Sequence, residues 1–235
     1  MPLRWILGVG RNYADHAKEM ASASAAAKAS GAGDHPTVFA KSPAAAILHG
    51  DDIVVPACCV DEATGGPQVD YEGELAVILG SPARDADEFD ALECVLGYCC
   101  ANDVSARWWQ KHGGGGQFVR GKSFDTFCPL GPTVVPARDV PDPQGLTLTT
   151  RLNGNVVQHS STKNMLYPVA TAISRLSQGA TLPAGTVILT GTPSGVGAAQ
   201  DPPRFLAEGD VVEVEIDGLG VLRNRVFVEH PSRDL

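Results

Sequence analysis

Apolar residues occur along this chain in short runs that glycines and prolines interrupt, a pattern typical of a protein built mainly from β-strands. The chain has 26 glycines and 17 prolines in 235 residues, which favours many short segments and few helices. The run Glu74–Leu79 is bounded by glycines and is apolar after its first residue, as expected of a buried strand. That run is among the eight predicted strands: Thr37–Ala40, Asp52–Val55, Glu74–Leu79, Thr133–Val135, Leu146–Leu152, Thr186–Leu189, Val211–Ile216 and Val221–Val228.

Two segments carry hairpin signals. Asn153 and Gly154 lie between apolar stretches, which is the strongest short-range signal for a type I′ turn. Val212–Ile216 alternates apolar and acidic residues, the period of a half-buried strand, and Asp217 with Gly218 then turns the chain back. We therefore expect two hairpins in the second half of the chain.

Three short helices are predicted, at Tyr13–Met20, Asp87–Glu93 and Pro168–Leu176. The segment Ala21–Gly33 consists almost entirely of Ala, Ser, Gly and Lys. Alanine would allow it to extend the first helix, but its glycines and its lack of large apolar anchors favour a mobile surface segment. Together these patterns predict a single domain over residues 1–235, of the β-rich α+β class.

Composition narrows the possible partners. The chain carries 18 Lys and Arg against 27 Asp and Glu, a net charge of −9, whereas a nucleic-acid-binding protein needs a clustered basic face. No stretch approaches the roughly 20 apolar residues of a membrane-spanning helix, and the N-terminal apolar run is too short for a signal peptide. We therefore expect no nucleic acid, no membrane and a cytoplasmic location. The six cysteines lack CxxC spacing and are expected as buried, reduced thiols.

The strongest chemical signal is a pair of glutamates, Glu72 and Glu74, at the entry to an apolar strand. Side chains two apart in a strand point to the same face, with Cβ atoms roughly 7 Å apart, so both carboxylates can reach one ion. Gly73 between them permits close approach of another group, and Asp103 follows a second apolar run. Three oxygen ligands favour Mg²⁺ or Mn²⁺ over Zn²⁺. The alternative is an edge strand with solvated glutamates and an aspartate in a turn.

Six segments of the chain together resemble the fumarylacetoacetate hydrolase family. They follow the family's order and span most of the chain: Gly10–His16, Phe39–Pro43, Asp70–Leu75, Asn102–Arg107, Gly121–Asp125 and Leu189–Gly197. Six ordered matches are far more specific than any one of them. The resemblance implies that family's fold, with a twisted, rolled mixed β-sheet and few short helices, and it implies a homodimer.

The resemblance also implies roles for ten residues. It implies that Glu72, Glu74 and Asp103 bind the metal and that Lys122, His16 and Glu19 are catalytic. His16 and Glu19 form a pair on a lid of about residues 13–36. Substrate contacts are implied for Arg11, Tyr13, Arg107 and Thr192. Spacing supports the pair independently, because residues i and i+3 share a helix face and the carboxylate can orient the imidazole. The alternative is a solvated histidine and glutamate on a surface helix.

The reaction expected from this resemblance is metal-dependent hydrolysis of a carbon–carbon bond in a 2,4-dioxo acid, because the paired histidine and glutamate are typical of hydrolytic members. An oxaloacetate decarboxylase, or an isomerase of a 2-hydroxy-diene-dioate or another 2-oxo acid, would use the same metal site and stays open. A non-catalytic binding protein that kept the fold is a third alternative. We expect no extra N-terminal domain of the kind that longer members carry, so the resemblance is to the compact acylpyruvase and oxaloacetate decarboxylase branch.

The sequence also contains a match to a phosphate-binding motif, which we reject. Gly116–Ser123 satisfies the P-loop pattern GxxxxGKS, which binds phosphate only between a strand and a helix. Pro129 and Pro132 follow within a few residues and would break such a helix. A nucleotide partner is therefore not expected.

Overall fold

The computed structural model describes residues 2–22, 35–60, 62–64 and 66–230. Its α-helices are short: α1 Ala14–Ser22, α2 Phe118–Lys122 and α3 Val169–Ser177. The predicted lid, residues 13–36, is described only at 13–22 and 35–36, so the Ala/Ser-rich segment lies outside the described residues from position 23 onward. No helix of the described ranges has both the length and the apolar character needed to cross a membrane.

Strands account for most of the regular backbone. In chain order they are β1 Trp5–Gly10, β2 Thr37–Lys41, β3 Ala46–Leu48, β4 Ile53–Val55, β5 Val69–Asp70, β6 Gly73–Leu79, β7 Val95–Asn102, β8 Ser105–Ala106, β9 Cys128–Pro136, β10 Thr147–Leu152, β11 Asn155–Ser161, β12 Thr186–Leu189, β13 Val211–Ile216 and β14 Gly220–Val228.

The strands form a seven-stranded sheet, in the order β2-β1-β12-β6-β7-β9-β3, a five-stranded sheet, in the order β11-β10-β13-β14-β4, and the small β5-β8 pair. Both larger sheets are mixed, because β1 pairs parallel to β12, β3 to β9, and β4 to β14, while the other neighbours are antiparallel. The predicted fold class is confirmed: strands in mixed, curled sheets dominate and helices are few.

Strand β6 lies in the middle of the seven-stranded sheet, between β12 and β7, and every one of its residues is buried. Its side chains alternate between two apolar layers. Leu75 and Val77 pack in a large core with Leu148 and Val214 of the five-stranded sheet, whereas Ala76 and Ile78 pack on the opposite face. The acidic residues at the beginning of β6 are therefore attached to the most enclosed strand of the molecule.

Both predicted hairpins are present. Asn153 and Gly154 connect β10 to β11 with φ values of 53° and 79°, the positive angles that a type I′ turn requires. The alternating strand β13 pairs with β14 through the turn that contains Gly218. Both hairpins could be predicted because the tolerance of Asn and Gly for positive φ depends only on the residue itself and not on distant contacts.

Several sequence predictions need correction. Asp87–Glu93 is not an α-helix: Asp87 instead accepts a hydrogen bond from the backbone N–H of Phe89, and only a 3₁₀ turn, Ala91–Cys94, follows. Strand β1 was missing from the prediction, and β9 is much longer than its predicted part because its prolines concealed it. Of the six free cysteines, four are buried as expected, but Cys58 is exposed and Cys94 is partly exposed.

Candidate active site

A cavity of about 370 Å³ lies where β1, α1, β6 and the loop after β12 meet. Its volume is within the range of roughly 300–1,000 Å³ that is usual for small-molecule sites. Seven of the ten predicted site residues line it: Arg11, His16, Glu72, Glu74, Arg107, Lys122 and Thr192. Residues far apart in the sequence therefore converge on one pocket.

A cluster of three carboxylates lies at the floor of the cavity, and two of its members, Glu72 and Glu74, line the cavity directly. Glu72 and Glu74 flank Gly73 at the beginning of β6, and Asp103 follows the neighbouring strand β7. The antiparallel register pairs Gly73 with Asn102, and the backbone N–H of Asp103 donates to the carbonyl of Glu72 at 2.8 Å. Oxygen atoms of the three side chains consequently lie within 4.8 Å of one another, and all three residues are buried.

Cationic side chains surround this cluster. Lys122 Nζ lies 2.7 Å from Glu72 Oε2 and 2.5 Å from Asp103 Oδ2, and Lys41 Nζ lies 2.5 Å from Asp103 Oδ1. Arg107 reaches Glu72 Oε1 at 2.6 Å with Nη1, while its Nη2 and Nε bind Asp70 at 2.8 and 2.9 Å. Within the described residues, Glu74 alone of the three carboxylates forms no ion pair, and it accepts a hydrogen bond from Gly191 N–H at 2.6 Å.

Because Glu72 and Glu74 differ in their ion pairs, their pKa values shift in opposite directions. Burial alone would raise the pKa of Glu72, but the nearby charges of Lys122 and Arg107 outweigh burial and hold that pKa below its usual range. Burial raises the pKa of Glu74, and the negative charges of Asp103 and Glu72 raise it well above its usual range. Burial opposes the charge of Lys122, yet Asp103 and Glu72 outweigh it and raise the pKa of the ammonium group.

The donor set fits a hard divalent cation. All three candidate ligands are carboxylates, the oxygen donors that Mg²⁺ and Mn²⁺ prefer. Glu74 is buried without an ion pair within the described residues, and an anion in that position is costly unless a positive charge compensates it. A cation held by Glu72, Glu74 and Asp103 would supply that charge. The structure thus supports a site for a hard divalent cation at these three residues.

The predicted histidine and glutamate pair of α1 is formed. His16 Nδ1 lies 3.3 Å from Glu19 Oε2, and the backbone N–H of Gly195 donates to Glu19 Oε1 at 2.9 Å. The contact with Gly195 fixes the glutamate and joins α1 to the glycine-containing loop after β12. His16 itself lines the cavity and is buried. Because Nδ1 is engaged by Glu19, Nε2 is the ring nitrogen left for chemistry.

Tyr13 is not among the residues that line the cavity. It packs in the apolar core, and only 2% of the residue is exposed, so its contact with a substrate stays a prediction. Its hydroxyl is buried and has no hydrogen-bond partner within the described residues. Burial and the charge of Glu74 raise its pKa, so this phenol stays protonated at neutral pH.

Sequence reasoning missed several residues of the site. Phe39 and Lys41 lay in a recognised motif without an assigned role; Phe39 lines the cavity, with Lys122 Nζ 4.8 Å from its ring centroid. Gln158 gave no signal, because its contacts with Thr192 and Gly73 cross between sheets. The short π-helix Trp109–Gly113 was also unpredicted and places Gln110, Lys111 and His112 around the cavity.

Comparison with known proteins identifies relatives along nearly the whole chain. The family model described as fumarylacetoacetate (FAA) hydrolase C-terminal matches residues 5–227. Oxaloacetate tautomerase YisK of Bacillus subtilis is 41% identical over 225 residues, which are 96% of this chain and 70% of that protein. The mitochondrial oxaloacetate tautomerase FAHD2B of Homo sapiens is 40% identical over 228 residues, which are 96% of this chain and 68% of that protein.

Solved structures agree with these matches. Fumarylacetoacetate hydrolase from Exiguobacterium antarcticum superposes with a TM-score of 0.82 at 44% identity, covering 97% of this chain and 76% of that one. A 2-hydroxyhepta-2,4-diene-1,7-dioate isomerase from Mycobacterium marinum gives a TM-score of 0.78 at 35% identity, with coverages of 97% and 76%. The chain therefore belongs to the fumarylacetoacetate hydrolase family, which is a family of enzymes.

Proposed function

We propose that this protein is a metal-dependent enzyme that interconverts the keto and enol forms of a 2-oxo acid. The observation that carries the proposal is the position of Lys122 beside a three-carboxylate cluster, with His16 lining the same cavity. The names of two relatives at 40–41% identity, both oxaloacetate tautomerases, favour this reaction over the hydrolysis expected from sequence. Oxaloacetate is accordingly the first substrate to test.

The cation in this proposal is Mg²⁺ or Mn²⁺, and Glu72, Glu74 and Asp103 would hold it. Bound there, it would act as a Lewis acid that polarises the 2-oxo group of the substrate. Lys122 adds a fixed positive charge beside the same carboxylates. Because the ammonium is buried and its pKa is raised, it stays charged and can donate a hydrogen bond to the enolate oxygen.

The proton at C3 requires a separate group, and His16 is suited to that task. An imidazole can take and return a proton near neutral pH, and Glu19 orients the ring through Nδ1. In this mechanism, Nε2 of His16 removes the C3 proton of the keto form and then gives that same proton to the oxygen at C2, which leaves the imidazole neutral again. The reverse reaction returns the proton to C3, so no other reactant is consumed.

Hydrolysis of a carbon–carbon bond is a second candidate. The paired His16 and Glu19 could instead activate a water molecule for attack on a distal carbonyl, and a solved relative at 44% identity is named a fumarylacetoacetate hydrolase. Loss of carbon dioxide from oxaloacetate would produce the same enolate without water. The three reactions differ in their products, so they can be separated directly.

The test uses metal-stripped protein supplied with Mg²⁺ or Mn²⁺ and measures the decay of enol-oxaloacetate by its ultraviolet absorbance. Pyruvate release from oxaloacetate and from acetylpyruvate is measured in parallel, to detect decarboxylation and hydrolysis. We expect metal-dependent enol decay without pyruvate release, and a loss of about 10²–10⁴-fold in His16→Asn. Pyruvate release as the fastest reaction would establish one of the alternatives. Metal and substrate binding without any turnover would indicate a binding protein.

A further inference from the structure

Asp70, the last residue of β5, is a buried carboxylate outside the cluster of three and is not among the described residues that line the cavity. Its Oδ1 accepts hydrogen bonds from the backbone N–H groups of Tyr71 and Gly197 at 2.9 and 2.8 Å. Its Oδ2 accepts from Ala198 N–H at 2.9 Å and from two nitrogens of Arg107. A carboxylate has about four lone-pair sites, so these bonds leave none for a substrate or a cation.

The contact with Arg107 fixes one edge of its guanidinium group. Nε and Nη2 donate to Asp70 Oδ2 at 2.9 and 2.8 Å, which leaves Nη1 on the other side of the planar group. Nη1 lies 2.6 Å from Glu72 Oε1 and donates to Gln110 Oε1 at 3.1 Å. Because the guanidinium group is rigid, fixing two of its nitrogens also fixes the third. The position of the Arg107 charge beside Glu72 is therefore set by Asp70.

The backbone around this pair leaves it little freedom. Asp70 pairs with Ser105 in the β5–β8 ladder, and the backbone N–H of Arg107 donates to the carbonyl of Gln68 at 2.8 Å. The space beside the carboxylate is also full, since a Cβ atom added at Gly197 would lie 2.7 Å from Asp70 Oδ1. Both side chains of the pair are buried. Arg107 would therefore gain freedom mainly by losing its partner.

We propose that Asp70 is a positioning residue, which holds Arg107 in the orientation that directs Nη1 towards the cavity beside the carboxylate cluster. This inference deepens the proposed function and rests on it for the ligand, because a 2-oxo acid at the cluster would meet a guanidinium group that is already fixed. A cation that is fixed in advance binds an anion more tightly, since less side-chain entropy is lost on binding. Asp70 thereby raises ligand affinity without contacting the ligand.

The test must separate this role from a general loss of stability. Asp70→Asn keeps the size of the side chain and an oxygen for Gly197, but its amide group cannot accept hydrogen bonds from Arg107. Asp210→Asn is the matched control, because Asp210 is also buried, pairs with Arg204 Nη2 at 2.8 Å and is outside the described lining of the cavity.

Oxalate is the probe, because its planar dianion resembles the enolate of a 2-oxo acid. It is titrated calorimetrically, in the presence of Mg²⁺, into wild-type protein, Asp70→Asn, Asp210→Asn, Arg107→Met and the double variant of Asp70→Asn with Arg107→Met. We expect Asp70→Asn to weaken oxalate binding about tenfold and Asp210→Asn to leave it unchanged, although both lower Tm.

The changes at Asp70 and Arg107 should not be additive, because the first acts through the second. The double variant should bind oxalate within about twofold of Arg107→Met. Wild-type affinity in Asp70→Asn, or a further tenfold loss in the double variant relative to Arg107→Met, would overturn the inference.

A second measurement follows the orientation of Arg107 without any ligand. The Nε–H group of a buried, hydrogen-bonded arginine exchanges slowly with water and gives a nuclear magnetic resonance signal. We expect this signal for Arg107 in wild-type protein and in Asp210→Asn, and its loss in Asp70→Asn. An unchanged exchange rate in Asp70→Asn would overturn the inference even if Arg107→Met does not fold. Absence of oxalate binding to wild-type protein would count against the proposed function, and the exchange rates would still decide the role of Asp70.

Discussion

Gln158 donates a hydrogen bond from Nε2 to Thr192 Oγ1 at 2.7 Å, which joins the five-stranded sheet to the loop that lines the cavity. The same side chain accepts a hydrogen bond from Gly73 N–H at 3.0 Å, and Gly73 lies directly between the two glutamates of the carboxylate cluster. Thr192 in turn donates to the carbonyl of Gly73 at 3.0 Å. One buried amide thus fixes two parts of the site relative to each other.

Replacing Gln158 by leucine should therefore destabilise the protein. The change keeps the approximate size but leaves the buried N–H of Gly73 without its partner, at a cost of about 2–3 kcal/mol in the free energy of unfolding. Chemical denaturation measures this cost. Gln117→Leu is the control, because that residue is exposed and its change should stay within about 0.5 kcal/mol of wild type. Equal stability of both variants would contradict the structural role of Gln158.

A divalent cation should stabilise the protein through Glu74. At a cation concentration a hundredfold above Kd, binding adds about 2.7 kcal/mol, which for a chain of this size raises Tm by roughly 5–10 °C. Glu74→Gln removes the charge without changing the size and should abolish most of that rise. Differential scanning calorimetry with Mg²⁺ and with a chelator measures it, and Glu93→Gln, an exposed acid, should respond like wild type. An unchanged Tm shift in Glu74→Gln would exclude it as a ligand.

The raised pKa of Glu74 predicts two opposite pH dependences. In cation-free protein the folded state keeps a proton that the unfolded state loses, so stability should fall as pH rises above about 5. Cation affinity should instead increase over the same range, because protons compete less for the carboxylate. Denaturation curves and cation titrations at a series of pH values test both trends. Both should be much weaker in Glu74→Gln, and persistence of both would assign them to another group.

Native protein should react with alkylating agents mainly at Cys58, the exposed thiol. Burial raises the pKa of Cys99, Cys100 and Cys128 to about 12, so these thiols are both inaccessible and protonated. Mass spectrometry after brief treatment with iodoacetamide should find one rapidly modified site, which Cys58→Ser removes. All six cysteines should react in denaturant. Rapid labelling of Cys128 in native protein would contradict its enclosure.

Local patterns predicted much of this fold from sequence. Alternation identified β13, and the Asn153–Gly154 pair identified the β10–β11 hairpin, because both signals depend on neighbouring residues. Asp87–Glu93 failed as a helix because a side-chain hydrogen bond to the backbone of Phe89 competes with helix formation there. The resemblance to a family then identified the three carboxylates as a predicted metal site, a role that the strand spacing alone had left ambiguous.

Contacts between distant segments were beyond prediction from one sequence. Nothing in the local pattern around Lys41 indicates that its ammonium group contacts Asp103, 62 residues away. The packing of Tyr13 in the core was equally hidden, because the motif that contains this residue does not show how deeply it is buried. The homodimer, the cytoplasmic location and the single-domain organisation stay predictions.

Strand β6 is enclosed on both faces and hydrogen-bonded along both edges. Amide hydrogens in such a strand exchange with solvent only when the whole sheet opens, so local fluctuations leave them protected. Glu74 belongs to this strand, and Glu72 directly precedes it. The spacing of these two carboxylates is therefore maintained for as long as the protein is folded, and an incoming cation would find them already in place.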